Sequence, residues 1–187
     1  AALLLYRLCQ TEYVKVEEIE KQWGQDVAKL IKGLLKVASL YSRQAAMESD
    51  NFRNLLLTFA EDIRVIILMI VDRLSLMREI NHHSNEKYVH DVAYEANYLY
   101  APLAHRLGLY AIKSELEDLS LKYTNREKFT EIARKLNETK VERDAYIKSF
   151  IEPVRKKLEA AGLVFEIKGR TKSIYSIWNK MRKQKND

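Results

Sequence analysis

The sequence predicts a mainly α-helical protein with a single short β-strand near its C-terminal end. Three observations predict it. Only five glycines and two prolines punctuate the 187 residues, too few for the many turns of a β-sandwich or barrel. Apolar residues recur at three- and four-residue spacing, the period that lines one face of a helix. An apolar content of 47% fills one good core or two small ones, so one or two folded domains are expected rather than disorder.

Taken in order, the chain opens inside an element. Ala1 to Leu5 is apolar without a cap or start signal, and the end at Lys185, Asn186 and Asp187 is equally abrupt, so the chain reads as cut from something longer. Helices are expected over 16–23 and 25–41, the second with Val27, Leu30, Ile31, Leu34, Leu35 and Ala38 on one face. Another is expected over 51–80, interrupted near Ala60 to Asp62. The helix over 84–99 should end at Pro102, which lacks an amide hydrogen and restricts the residue before it. A helical pair follows over 110–123 and 126–137, with Asn125 as a cap between them. The long amphipathic stretch 140–161 contains Pro153, as a kink or a new start, and closes on Gly162. After that glycine, Leu163 to Ile167 is apolar and β-branched, the one persuasive strand, though a lone strand lacks partners for its backbone groups. Residues 173–183 return to helical spacing through Ile174, Ile177, Trp178 and Met181.

Composition excludes several function classes. The longest apolar run, Val65 to Val71, falls far short of the roughly 20 residues that cross a bilayer, and no basic-then-apolar leader opens the chain. A cytoplasmic protein with no membrane partner is expected. Cys9 has no second cysteine to pair with and reads as a core thiol. Residues 168–187 hold seven Lys/Arg against one acid, a net +6 that leaves 25 against 25 before them. A charge excess confined to one end points to a local anion site or a solvated tail, not to a coat for DNA.

The sharpest feature lies in that basic end, from Gly169 through Met181. A strand ends at glycine, Arg170 and Lys172 follow, and a helix opens with Ser173 as its cap. Amide hydrogens at a helix N-terminus face outward with partial positive charge, and the two cations would add to it, an arrangement suited to polyphosphate. Lys172, Ser176 and Lys180, four apart, would share one face, leaving Ile174, Ile177 and Met181 to pack on another. Taken alone, a basic helix is more often merely solvated.

The run resembles the Gly-Arg-Pro-Lys-His-Ile-Tyr-Ser-Ile-x-x-Lys-Met motif that opens the synthetase domain of the long RelA/SpoT family. The resemblance implies that Arg170, Lys172, Ser176 and Lys180 contact nucleotide phosphates; Thr171 stands in place of the family's proline and Ser173 in place of its histidine. The stretch Tyr100 to Leu109, with Lys113, Glu115 to Leu119 and Tyr123, is similar to the family's helical connector. Asp62 to Arg78 resembles a helix of its hydrolase, and the similarity runs back to Ala1. The implied architecture is a multi-helix HD-like bundle plus connector, with the strand and last helix beginning an α/β synthetase domain. Its divisions are a hydrolase-like region over 1–84, a connector over 85–162 and the start of the synthetase over 163–187. His105 and Glu117 in the connector read as residues that orient helices rather than as catalysts.

In active members of that family the hydrolase holds manganese through two histidines and two aspartates, with a His-Asp pair after Ala-Ala-Leu-Leu. Here Leu5 and Tyr6 follow those four residues, and neither supplies what a manganese site needs. Cys9 and Gln10 stand where an acidic pair would assist the attacking water. Asp72 matches the remaining metal-binding aspartate, yet Ser75 and Leu76 replace the His-Asn that follows it. Asp72 is expected to hydrogen-bond Arg73 or a helix end instead of a metal. His82-His83 and His90-Asp91 match metal motifs by spelling only, outside the required context.

The resemblance implies transfer of pyrophosphate from ATP to the 3′-hydroxyl of GDP or GTP, the acceptor left open. Magnesium for that reaction would be held by acidic residues beyond Asp187, so no catalytic residue and no cofactor are expected within this chain, and the manganese site is expected to be lost. Any ribosome contact would come only through other regions. Two rival readings remain: a non-enzymatic helical module regulating an attached synthetase, and an RNA-binding module resting on the basic end with Tyr175 and Trp178, whose position near the apolar face favours core packing.

Overall fold

A computed structural model describes residues 1–43, 62–169 and 171–184. They form two compact units, Ala1–Tyr123 and Thr124–Asp187.

The first unit comprises α1 (Ala2–Gln10), α2 (Val16–Trp23), α3 (Gln25–Arg43), α4 (Ile63–Glu79), α5 (Glu86–Glu95), α6 (Ala101–Arg106) and α7 (Tyr110–Thr124, which ends at the unit's edge). The expected helix over 51–80 is found as far as it can be followed: α4 covers its second part, and 51–61 lie outside the described residues. Asp62 caps α4 by accepting the Arg64 amide, and Asn85 caps α5 by accepting that of Tyr88, each satisfying an amide that the helix leaves orphaned. Pro102 does not end the expected helix. A π turn, Ala96–Tyr100, carries the chain from α5 into α6, and the proline takes the first turn of α6, where no amide hydrogen is required of it.

The core of this unit is built on α4. Val65, Ile66, Ile70 and Met77 are buried against Leu34 and Val37 of α3, Leu99 and Tyr100 of the π turn, Leu103 of α6 and Leu116 of α7. Burying each such aliphatic side chain stabilises by roughly 1.5–3 kcal/mol. Gly33 lets α3 approach closely: a Cβ there would stand 2.6 Å from Val65 Cγ2. A smaller cluster holds Cys9, Ile19 and Ile31, so the cysteine is a core thiol, and burial pushes its pKa up.

The second unit comprises α8 (Arg126–Glu138), α9 (Lys140–Ala160) and α10 (Ile174–Gln184). Asn125 caps α8 by accepting the Lys128 amide at 3.1 Å. α9 continues through Pro153 as one helix. It closes on Gly162 in the left-handed region at φ 69°, with Gly162 N–H bonded to Glu159 O and Leu163 N–H to Leu158 O, the paired bonds of a Schellman cap.

The expected strand over 163–167 does not form; residues 163–169 have no regular structure. Strand geometry is stabilised by ladder bonds to a neighbour, and among the described residues none is supplied: Leu163 and Val164 lie exposed. Among the described residues no helix is long and apolar enough to cross a membrane.

Candidate functional site

Four helices of the first unit and its π turn enclose a cavity of about 390 Å³. α1 contributes Tyr6, Arg7 and Gln10, α4 contributes Asp72, Arg73 and Leu76, and α5 contributes Tyr88 and Glu95, with Tyr100 alongside. Two ion pairs set its electrostatics. Arg7 Nη2 lies 3.1 Å from Asp72 Oδ2 at a partly open edge. Arg73 Nη2 lies 2.6 Å from Glu95 Oε2, with the two side chains only 14% and 17% exposed, and the Arg73 guanidinium sits 4.5 Å over the Tyr100 ring.

Burial pushes the Glu95 carboxyl above its ordinary range, and the neighbouring Arg73 only partly opposes this. The Tyr6 phenol is also pushed up, first by burial; Asp72 and Tyr100 add to the effect while Arg7 opposes it. Tyr6 therefore stays neutral around physiological pH.

Asp72 does not pair with Arg73 as expected; it pairs with Arg7. Adjacent residues on a helix diverge by about 100°, so Arg73 points toward Glu95 while α1 carries Arg7 across to Asp72. A divalent ion needs several oxygen or nitrogen donors converging on one point. The residues of this cavity do not fit one: each carboxylate is held by a guanidinium, and the other polar groups are phenols and the Gln10 amide. Among the described residues no group of three or more His, Cys, Asp or Glu side chains is gathered where it could hold a metal ion.

Of the positions singled out in the sequence, Tyr6, Gln10, Asp72 and Leu76 border the cavity. Leu5 and Cys9 turn instead into the small cluster with Ile19 and Ile31, and Ser75 is exposed. His83 Nδ1 accepts the Asn85 amide, and His90 lies exposed beside Asp91 at 3.9 Å. In the connector, Lys113 Nζ pairs with the buried Glu117 at 2.7 Å and the His105 ring meets Tyr110 edge-on. Arg78 grips Glu115 through two bonds of 2.7 and 2.8 Å. Sequence reasoning missed Arg7, Glu95 and Tyr100, because no spacing rule joins residues 22 or 65 positions apart on different helices; the distances alone reveal them.

The second place is the loop leading into α10. Ser173 caps that helix: its Oγ accepts the Ser176 amide at 3.3 Å and donates to Ser176 Oγ at 2.8 Å, leaving Ser176 its own hydroxyl hydrogen to give. Lys172 precedes the helix instead of sharing its face, while Ser176 and Lys180 lie four apart on it, and both lysines are exposed. Arg170 lies outside the described residues. Tyr175 and Trp178 are half-buried, their ring centroids 5.5 Å apart.

The family model described as HD domain matches residues 1–110. Over 97% of its length the chain is 39% identical to a GTP pyrophosphokinase of Myxococcus xanthus, of which it covers 24%. It is 38% identical to a guanosine-3′,5′-bis(diphosphate) 3′-pyrophosphohydrolase of Aquifex aeolicus, with 98% of the chain and 26% of the relative covered. It is 33% identical to a GTP pyrophosphokinase of Escherichia coli K12, covering 98% of the chain and 25% of the relative. The chain belongs to the HD-domain family, in its RelA/SpoT branch.

This HD-domain chain spans about a quarter of the length of the curated relatives it matches. The HD-domain match takes in α1 to α6 and hence the cavity, whereas the loop and α10 lie beyond it.

Proposed function

We propose that this HD-domain chain is the front part of a GTP pyrophosphokinase of the stringent response: a pseudo-hydrolase over 1–84, a connector over 85–162 and the opening of the (p)ppGpp synthetase over 163–187. This division describes function, while the two compact units describe packing. The observation that carries the first half is the Arg7–Asp72 pair. The one ligand carboxylate that the sequence keeps is paired with a cation, which supports a region that does not activate water on a bound metal.

The second half rests on Lys172 and Ser176 at a capped helix N-terminus, with Lys180 one turn beyond Ser176 along the helix, joined in sequence by Arg170. Preorganised cations and amide hydrogens stabilise the charge of a transferring pyrophosphoryl group. The substrates of the parent enzyme are ATP with GDP or GTP. Magnesium would be held by residues outside this chain, which supplies no catalytic group, and the expected location is the cytoplasm. Neither DNA nor a membrane is a partner, and a ribosome contact would come through other regions.

Two assays test the reading. Incubating the chain with manganese and (p)ppGpp should release no pyrophosphate above background; release would overturn the pseudo-hydrolase. Lys172→Ala with Lys180→Ala should lower its affinity for ATP by about tenfold or more, since each charge-assisted phosphate contact contributes roughly 1.5–3 kcal/mol. Unchanged affinity would overturn the phosphate site.

A further inference from the structure

The loop between Gly169 and Ser173 is held down on α9 at two points. At one, Gly169 packs so closely that a Cβ there would stand 2.6 Å from Ile147 Cγ2 and 3.0 Å from Ile151 Cδ1. At the other, Arg143 Nε donates to Thr171 Oγ1 at 3.2 Å. Arg143, Ile147 and Ile151 recur every four residues and so form one stripe along α9, and Gly169 and Thr171 both meet that stripe.

Arg143 is itself anchored. Its Nη1 donates to Leu136 O at 2.9 Å and to Thr139 Oγ1 at 3.0 Å, fixing the planar guanidinium against the turn between α8 and α9. Such a rigid fork holds its partner with little entropy left to lose. A hydrogen bond from a fixed cation to the Thr171 hydroxyl narrows the conformations open to residue 171. A proline ring narrows them by fixing φ, and proline is the residue that Thr171 replaces in the motif its loop resembles.

We infer that Arg143 is a positioning residue for the phosphate loop: by holding Thr171 it orders the backbone next to Lys172 before any polyphosphate arrives. The inference rests on the phosphate-site reading of the proposed function, and it assigns Arg143 no contact with the ligand. Preorganisation of this kind raises affinity by removing an ordering cost from the binding step.

The test has two readouts on the whole chain. Hydrogen exchange of the amides at 169–173, without nucleotide, should quicken about tenfold in Arg143→Ala and in Thr171→Val, as expected for losing one bond to a charged group. The double variant should be no faster than either single, because both remove the same bond, and Thr171→Ser, which keeps the hydroxyl, should behave as the native chain. Affinity for inorganic triphosphate, measured by calorimetry, should fall by a similar factor in Arg143→Ala and Arg143→Lys, the latter keeping the charge but not the fork.

Unchanged loop exchange in Arg143→Ala, or effects that add in the double variant, would overturn the inference. So would triphosphate affinity that Arg143→Lys preserves, since a bare charge would then suffice. Lys172→Ala with Lys180→Ala separates the two readings: it should weaken triphosphate binding while leaving loop exchange alone. If triphosphate binding ignores those lysines, the phosphate site fails and the role of Arg143 fails with it. If it depends on them but not on Arg143, the phosphate site stands and only the positioning role of Arg143 fails.

Discussion

Arg7 and Asp72, 65 residues apart in sequence, meet at 3.1 Å across the cavity between α1 and α4. A guanidinium thus stands beside the one carboxylate that the RelA/SpoT resemblance assigns to a metal.

That pair sets the order in which a metal site could be rebuilt. Leu5→His with Tyr6→Asp restores the His-Asp pair of the family motif, but only position 6 borders the cavity with Asp72, and Arg7 still competes for that carboxylate. Manganese binding by calorimetry is expected to stay undetectable in that double variant and to emerge, weakly, once Arg7→Ala is added. Binding before Arg7 is removed would show that the pair is no obstacle.

Arg73 and Glu95 form a more enclosed pair. Arg73→Ala leaves a carboxylate in a largely dry place and should destabilise the chain by about 3 kcal/mol in urea unfolding near neutral pH. Glu95 already has a pKa above its ordinary 4.5 because burial disfavours its charge. The folded state therefore holds that proton more tightly than the unfolded chain, so this group's contribution is greatest below 4.5 and declines as pH rises through the raised value. Removing Arg73 raises the value further. The loss of stability should be larger at about pH 8 than at about pH 5, and a loss independent of pH would contradict this account.

Gly33 faces Val65 with no room for a methyl group, the Cβ position lying 2.6 Å from Val65 Cγ2. Gly33→Ala should cost about 1–3 kcal/mol despite the better helix propensity of alanine. Adding Val65→Ala should return part of it, a coupling that thermal melts of the two singles and the double would reveal.

Glu131 accepts from Lys135 and from Lys128, both at 2.9 Å, and these bonds lower its pKa from 4.5 to about 2. Here the sign is opposite to that of Glu95: the contribution is full above 4.5 and is lost as pH falls toward about 2. The helical circular dichroism of the chain should therefore fall over that window by an amount that Glu131→Gln abolishes. An identical acid profile in the variant would refute it.

Much of this was legible in the sequence because it depends on local rules. Asn125 and Ser173 cap their helices as their side chains dictate, and Gly162 closes α9 because a left-handed residue there suits glycine. The aliphatic periodicity of 25–41 marked Ile31 and Leu34 as buried, and they are. Pro102 misled, because the sequence does not announce a π turn that lets a proline open the next helix. Leu163 to Ile167 misled for the converse reason: strand propensity is local, but a strand exists only where a second one completes its hydrogen bonds.

The amino-acid order alone determined which side chain types stand at each position: Leu5 offers no donor atom, Tyr6 offers a phenol in place of a carboxylate, and Lys172 and Lys180 bring amino groups to the basic end. Only tertiary structure decided what became of the polar groups left behind. Arg7 reached Asp72, Arg73 turned to Glu95, and Arg143 came down on Thr171. Donor chemistry belongs to each residue by itself, whereas a pairing is a distance, and distances between remote segments are set by how helices pack.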